Sequence, residues 1–375
     1  MKIVQDLYDM TKFFRSPLFT VIITGIVSVI SGCTLNKGPS LKVAVESTEQ
    51  IWNAVAHVGK RTFVSGPRWT GTNGPQLTVI DISGVRVPYP DLAWNNWTAG
   101  KDATHSFVNI NALRLEGNKL WVVDTGSPEF GGDPVKGGAK LVCIDLTVNK
   151  VTRTYYFPAD IAKPGSYVDD VRFHNGTAFL TDAGNGGIIL LDLESGVARR
   201  VLEHHPSVTA ASDRNIVLSN KVVRLPNGSP LRVNSDPLEI SPDGYWLYFG
   251  ALQGPWYKIR TYDLVDTTLS PQRLAARVEP FANIPPTGGS VMDEKGNLYF
   301  SDLANDAFRV RHSDGSIETL IVDKRLHWVD APFLDREGGL WLPTPQMDRT
   351  PLFNNGKSKI EWPVRIYYIA PSTKP

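Results

Sequence analysis

Beyond residue 50 the chain consists of short apolar runs interrupted by Gly, Pro, Asn and Asp, and stretches with helical periodicity are scarce. Runs of this length bounded by turn residues predict β-strands. One unit keeps returning. A polar residue opens a short apolar strand, a turn follows, and a second strand carries an aromatic residue and often ends in Asp. Asn111–Asp124 and Asp169–Asp182 are complete copies, and further copies run from Asp236 to Phe249, Gly288 to Asp302 and Asp330 to Leu342. An eroded copy from about Asn53 to Val64 comes first, which makes six. The opening positions 111, 169, 236, 288 and 330 lie 42 to 67 residues apart, enough for four strands per unit. A four-stranded unit cannot bury both of its faces alone, whereas radial stacking around an axis buries them and leaves only short edges. The expected fold is therefore all-β, a six-bladed β-propeller. The ring is expected to close where Val364–Ile369 pairs near Leu41–Val45.

Composition agrees with this pattern. Of 375 residues, 32 are Gly, 27 Pro and 10 Trp, a mixture of many turns and aromatic-rich strands. The formal net charge of +1 supplies no field that would attract nucleic acid, so no nucleic-acid partner is expected.

The N-terminus has a different pattern. Lys12 and Arg15 precede an apolar run from Leu18 to Ile30, which suits the core of an export signal better than a membrane span. The run ends in Ile30-Ser31-Gly32-Cys33, which resembles the lipobox of bacterial lipoproteins. In that class the signal is cut before the cysteine, which is then acylated. The expected division is a lipoprotein-type signal over 1–33, a polar tether over 34–50 and the propeller over 51–375. Cys33 would carry the lipid and tether the protein to a membrane, outside the cytoplasm. The second cysteine, Cys143, sits in the apolar strand pattern Lys140–Asp145 and reads as a buried, unreactive thiol.

Some motifs suggest chemistry that their context does not support. Val122–Ser127 copies the active-site sequence of pepsin-like proteases, but that chemistry needs a second Asp in a matching loop. Asp302 is followed by Leu303 and Ala304 instead of the required Thr-Gly. Asp124 also has counterparts at Asp182 and Asp302, where each ends a strand and starts a turn. Gly184–Gly187 is a turn between strands with no helix to receive a phosphate. His204 and His205 are neighbours that would point oppositely in a strand, so turn or cap duty is expected of them.

The candidate site comes from aligning the repeats. The position that opens each unit holds Asn111, Asp169, Asp236, Gly288 and Asp330, with Asn53 nearest in the first copy. In a propeller this position faces the mouth of the central channel. Asn111, Asp169, Asp236 and Asp330 could there bind a small molecule's ammonium or hydroxyls, or a hard cation such as calcium. Alternatively, each carboxylate caps the backbone at its own strand start. Converging carboxylates repel, so raised pKa values or a bound cation should accompany them.

Several stretches in order along the chain resemble the major royal jelly and Yellow proteins: Phe63–Trp69 with Gln76–Thr78, Pro88–Asp91 with Trp94, Leu120–Gly126, Arg200–Ser207, Leu238–Gly244 with Leu247–Phe249, and Leu320–Trp328 into Asp330. The likeness covers nearly the whole chain beyond the leader. Paired cysteines of the insect pattern are missing, and the chain reads as a bacterial-type branch. The resemblance implies a six-bladed propeller, usually secreted, with functions that range from conversion of indole derivatives through binding of amines in the central pocket to storage. Binding or isomerising an aromatic or amine-bearing molecule is thus one expectation. A metal-dependent hydrolase similar to gluconolactonase and SMP-30 propellers is a second, weakened by Gly288 and by the lack of a Glu at the first repeat's opening position. A non-enzymatic interaction propeller is the third.

Overall fold

The computed structural model describes residues 39–71 and 73–371. Six four-stranded antiparallel sheets form a six-bladed β-propeller. From the axis outward, blade 1 contains Ala54–Val58, Arg61–Ser65, Leu77–Asp81 and Arg86–Pro88. Blade 2 contains Ile110–Glu116, Lys119–Asp124, Lys140–Asp145 and Lys150–Tyr156. Blade 3 runs through Val168–His174, Thr177–Asp182, Ile188–Asp192 and Ala198–Val201. Blade 4 holds Ser235–Ile240, Trp246–Ala251, Trp256–Arg260 and Glu279–Ala282, and blade 5 Ser290–Met292, Leu298–Asp302, Ala307–Arg311 and Ile317–Val322. Blade 6 combines Phe333–Leu334, Leu340–Thr344 and Val364–Ile369 with the N-terminal strand Leu41–Ser47. First strands of successive blades touch in cyclic order, and the first strand of blade 6 returns to that of blade 1.

Ring closure therefore joins the two ends of the described chain. Leu41 pairs with Ile369 and Ser47 with Val364, antiparallel, with a bulge between Val43 and Val45. This corrects the expected boundary at residue 51. Leu41–Ser47 is the outer strand of blade 6. The polar look of 34–50 misled because an outermost strand has one solvent-facing side; Lys42, Val43 and Glu46 are exposed while Leu41 and Ser47 are buried. Cys33 and the expected leader lie outside the described residues.

The seams between blades hold the core. Phe63 and Leu77 of blade 1 meet Leu113, Leu120 and Val142 of blade 2. Trp121 and Leu141 then pack on Val171, Leu180 and Ile189, with the free thiol of Cys143 buried among them. Phe179 meets Leu247 and Phe249, and Trp256 meets Phe300. Phe308 packs on Leu340 and Leu342, and Ile366 on Trp52 and Val64. Burying each of these large side chains contributes roughly 1.5–3 kcal/mol, so stacking stabilises what no blade could stabilise alone.

The two ends of the propeller are built differently. At one end first and second strands are joined by tight turns such as Gly59-Lys60 and Gly117-Asn118. At the other, long segments emerge: 66–76, 125–139 and 345–363 after the second strands of blades 1, 2 and 6, and 202–234 between blades 3 and 4. That second end carries the cavity described next.

Candidate functional site

Each first strand starts at the loop-rich end, and in blades 2, 3 and 4 it starts with an irregularity. The register shifts between Ile110 and Ala112, between Val168 and Val171, and between Ser235 and Leu238. Asn111, Asp169 and Asp236 sit inside these shifts. A bulge inserts an unpaired residue and re-aims its side chain, here toward the channel. Asn111, Asp169, Asp236 and Asp330 consequently line one cavity of about 330 Å³. Gly288 borders the same cavity. It has no side chain for a local reason: a Cβ there would lie 2.6 Å from the Val329 carbonyl oxygen. Asn53 stands behind, donating through Nδ2 to the Asn111 carbonyl at 2.9 Å.

A hydrogen-bond relay fixes the Asn111 amide. The Trp69 indole donates to the Tyr167 hydroxyl at 3.0 Å, and that hydroxyl donates to Asn111 Oδ1 at 3.0 Å. Asn111 Nδ2 is thereby turned to Asp169 Oδ1, at 2.6 Å. Asp330 Oδ1 accepts from the Ala331 N–H at 2.9 Å. Among the described residues no hydrogen bond reaches the Asp236 carboxylate. Local capping therefore describes Asp330 alone.

These carboxyls are hard to ionise. Burial first, then Asp170, Asp330 and Asp182, push Asp169 well above the carboxylate range. Burial and then Asp169, Asp330 and Asp170 do the same to Asp236. Burial, with Asp170 adding, raises Asp330 to about 8. The Trp328 indole N–H pulls Asp330 back somewhat, although that N–H is buried without a hydrogen-bond partner of good geometry. Tyr167 is likewise pushed well above its ordinary value by burial and by Asp169.

Beneath this ring the channel is plugged by groups that sequence reasoning missed. Arg172 donates from Nη2 to Glu239 Oε1 at 2.7 Å and from Nε to Oε2 at 3.0 Å. Its Nη1 reaches both Asp170 oxygens at 2.8 Å. Ser290 Oγ adds a third donor to Glu239 at 2.8 Å. Burial alone would raise the Glu239 pKa, but Arg172 outweighs it and the carboxyl ends below its ordinary value. Burial would likewise lower Arg172, yet Asp170 and Glu239 hold it above its usual range. A signal did exist. Arg114, Arg172 and Glu239 each lie three residues after a ring position, and a bulge between lets residues i and i+3 face the same way.

Above the ring the wall is aromatic. Trp69 and Phe130 pack edge to face with centroids 5.0 Å apart, and Phe353 lies 6.3 and 6.1 Å from them. Phe130 is 6.1 Å from Tyr167. Trp328, Leu231, Val233, Leu252 and Met347 complete the lining. Trp69, Phe130 and Phe353 come from three different long loops, which no repeat alignment could have placed together.

The other sequence candidates have structural duties. Asp124 is wholly buried, paired with Lys140 at 2.8 Å, and accepts from the Val108, Asn109 and Gly126 N–H groups. Asp182 repeats this with Arg200 at 2.7 Å and the Tyr167, Gly184 and Asn185 N–H groups. Asp302 pairs with Arg309 at 2.9 Å. The end-of-strand Asp thus pins the loops on either side of it, and Gly184–Gly187 is one of them. His205 caps a short 3₁₀ turn by accepting from the Ser207 N–H at 3.2 Å, while His204 is exposed with φ at 61°.

Calcium does not suit the ring as it stands. Among the described residues no three His, Cys, Asp or Glu side chains come close enough to hold one metal ion. Asn111 moreover presents its N–H group to Asp169, where a cation would need oxygen.

Comparison with known proteins gives a consistent picture. A family model described as Major royal jelly protein matches residues 116–327, more than half of the chain. Protein yellow of Drosophila guanche is 30% identical over 164 residues, which cover 40% of this chain and 28% of that relative. Protein yellow of Drosophila melanogaster is 29% identical over the same length, covering 40% and 30%. The aligned stretch thus spans under a third of these relatives. Among solved structures, a protein of unknown function from Bacteroides thetaiotaomicron superposes with a TM-score of 0.56 at 11% identity, covering 89% of this chain and 72% of that one. Regucalcin, a calcium-binding protein from Agrobacterium tumefaciens, gives 0.53 at 13% identity, covering 88% and 93%. At such identities these two likenesses concern the fold alone.

Proposed function

The chain belongs to the major royal jelly protein family, and from that premise we propose that it is an exported propeller, anchored by a lipid on Cys33, that binds a small molecule with an ammonium group and an aromatic or apolar body. One observation carries the reading: Asp169, Asp236 and Asp330 face a cavity whose walls are Trp69, Phe130, Tyr167, Phe353 and Trp328. Carboxylates accept the N–H donors of an ammonium, and ring faces add about 0.5–2 kcal/mol of cation–π attraction where water is excluded. The apolar lining suits the remainder of such a ligand.

The test is a matched pair. Calorimetry with 2-phenylethylamine and with 2-phenylethanol, at pH 8, should give binding of the amine at least about tenfold tighter, a difference of about 1.4 kcal/mol. Equal affinity for the two would remove the ammonium from the reading. Isomerisation of a bound ligand is a second reading, favoured by the Asp330 carboxyl at about 8. A group titrating near neutrality can take a proton from one ligand carbon and return it to another. Lipid anchoring on Cys33 predicts that mass spectrometry of the native N-terminus finds an acylated cysteine and that Cys33→Ser abolishes acylation. An unmodified residue other than Cys33 at the mature N-terminus would contradict the anchor.

A further inference from the structure

The channel holds two sets of carboxylates, and only one set has a counter-ion. Asp170 and Glu239 share Arg172. The charged and titratable groups around the mouth come from every element packed against it. Blade 2 brings neutral Asn111, while the Arg114 charge acts on Glu239. Blade 3 brings Tyr167 and Asp169 with Asp170 and Asp182 behind them, and blade 4 brings Asp236. Blade 5 contributes Gly288, and blade 6 Asp330. Arg232 borders the cavity, but its guanidinium donates to the Arg214 and Ser212 backbone carbonyls and pairs with none of the three carboxylates. Among the described residues no basic side chain forms an ion pair with these three carboxyls.

A separate feature also points to a ligand. Trp328 is 96% buried and lines the cavity, and its indole N–H acts on the Asp330 carboxyl without making a hydrogen bond of good geometry. It lies beside Gly288, where a Cβ would come within 3.1 Å of its Nε1. A polar hydrogen is thus only poorly satisfied beside the one ring position that has no side chain.

We propose that the mouth takes up its cation by exchange: the empty site stores protons on its carboxyls, and an arriving ammonium displaces them to solvent. This rests on the ammonium reading above. The step balances as a carboxylic acid plus a ligand ammonium giving a carboxylate–ammonium pair plus one proton released to water. Capture is then favoured at neutral to alkaline pH, and acidification ejects the ligand. Burial first, then repulsion from neighbouring aspartates (Asp170 in every case), holds all three carboxyls above their ordinary range and agrees with storage.

The experiment is calorimetry of the full chain with 2-phenylethylamine between pH 5.5 and 9, in buffers of differing ionisation enthalpy. Exchange predicts release of about one proton per amine bound near pH 6.5, and affinity that rises up to about tenfold per pH unit before flattening. Binding without proton release and with flat affinity overturns exchange and leaves the ammonium reading intact. No binding at any pH removes the ammonium reading, and the exchange with it. A ligand-free measurement guards against an uninformative variant: potentiometric titration of wild type and of Asp236→Asn, whose carboxylate has no protein donor to lose. Wild type should take up more protons between pH 9 and 5, and superimposable curves would overturn storage.

Discussion

A few residues along the same inner strands, identical chemical groups behave in opposite ways. At the mouth Asp169, Asp236 and Asp330 are pushed toward their neutral forms. In the layer below, Glu239 is more completely enclosed yet stays ionised more easily than a free glutamate. Burial opposes the charge in both places. The difference is one guanidinium with five donors, bonded to both Asp170 and Glu239. The lower layer is therefore a completed network that closes the channel and holds blades 3 and 4 together. The upper layer is an unfinished one, and the proposed ammonium ligand would complete it.

Removing the lower layer's cation should have the largest effect. Arg172→Met strands Asp170 and Glu239 without a counter-charge, and the cost at neutral pH should be about 3–5 kcal/mol in chemical denaturation. The penalty should shrink in acid. The lowered Glu239 pKa means that its contribution is present above the ordinary value of 4.5 and is lost as pH falls through the folded-state value. A loss under 1 kcal/mol would mean that the plug is not the electrostatic support described.

At the mouth the opposite sign is expected. Asp236→Asn should stabilise the ligand-free protein by roughly 1 kcal/mol at pH 8, about 2 °C in melting temperature. A carboxyl whose folded pKa is raised contributes stability that is fully present below its unfolded value of 3.8 and lost as pH rises through the folded value. The advantage of the Asn variant should accordingly vanish near pH 4, and a thermal series across pH 4–8 reads it. A strand cap would instead lose about 0.5–2 kcal/mol on the same change.

The smallest effect belongs to Tyr167→Phe. It removes the hydroxyl that orients Asn111, at a cost of about 0.5–1 kcal/mol in stability. Amine affinity should fall a few-fold because Asn111 is then free to rotate and its N–H no longer holds the Asp169 carboxyl in place. Unchanged affinity would show that the relay from Trp69 does not reach the ring.

What could be read from the sequence follows the range of the interactions involved. The repeats were legible because each blade buries the same alternating pattern, and aligning them placed Asn111, Asp169, Asp236 and Asp330 at one channel end. The repeat also exposed Asp124 as the counterpart of Asp182 and Asp302. Pairing across blades was not legible. Arg172 and Glu239 are 67 residues apart and meet only because the inner strands of blades 3 and 4 adjoin. The orientation of Asn111 depends on a tyrosine from another blade, and the aromatic wall on three loops of unrelated sequence. The closing pair of Leu41–Val45 with Val364–Ile369 was legible, yet the boundary fell at residue 51 because a half-exposed outer strand looks like a polar linker.

The contrast between the two layers is tested most directly by one paired measurement at pH 8.5 without ligand: the melting temperatures of Asp236→Asn and Glu239→Gln against the unmodified protein. Each variant exchanges one carboxylate for its neutral isostere on an inner strand of blade 4, three residues apart. The account predicts opposite signs, with Asp236→Asn melting higher and Glu239→Gln lower, the latter through loss of about 2–3 kcal/mol from a charged, buried network. Destabilisation by both would contradict it, because Asp236 would then be a structural partner and the mouth would be as complete as the layer beneath.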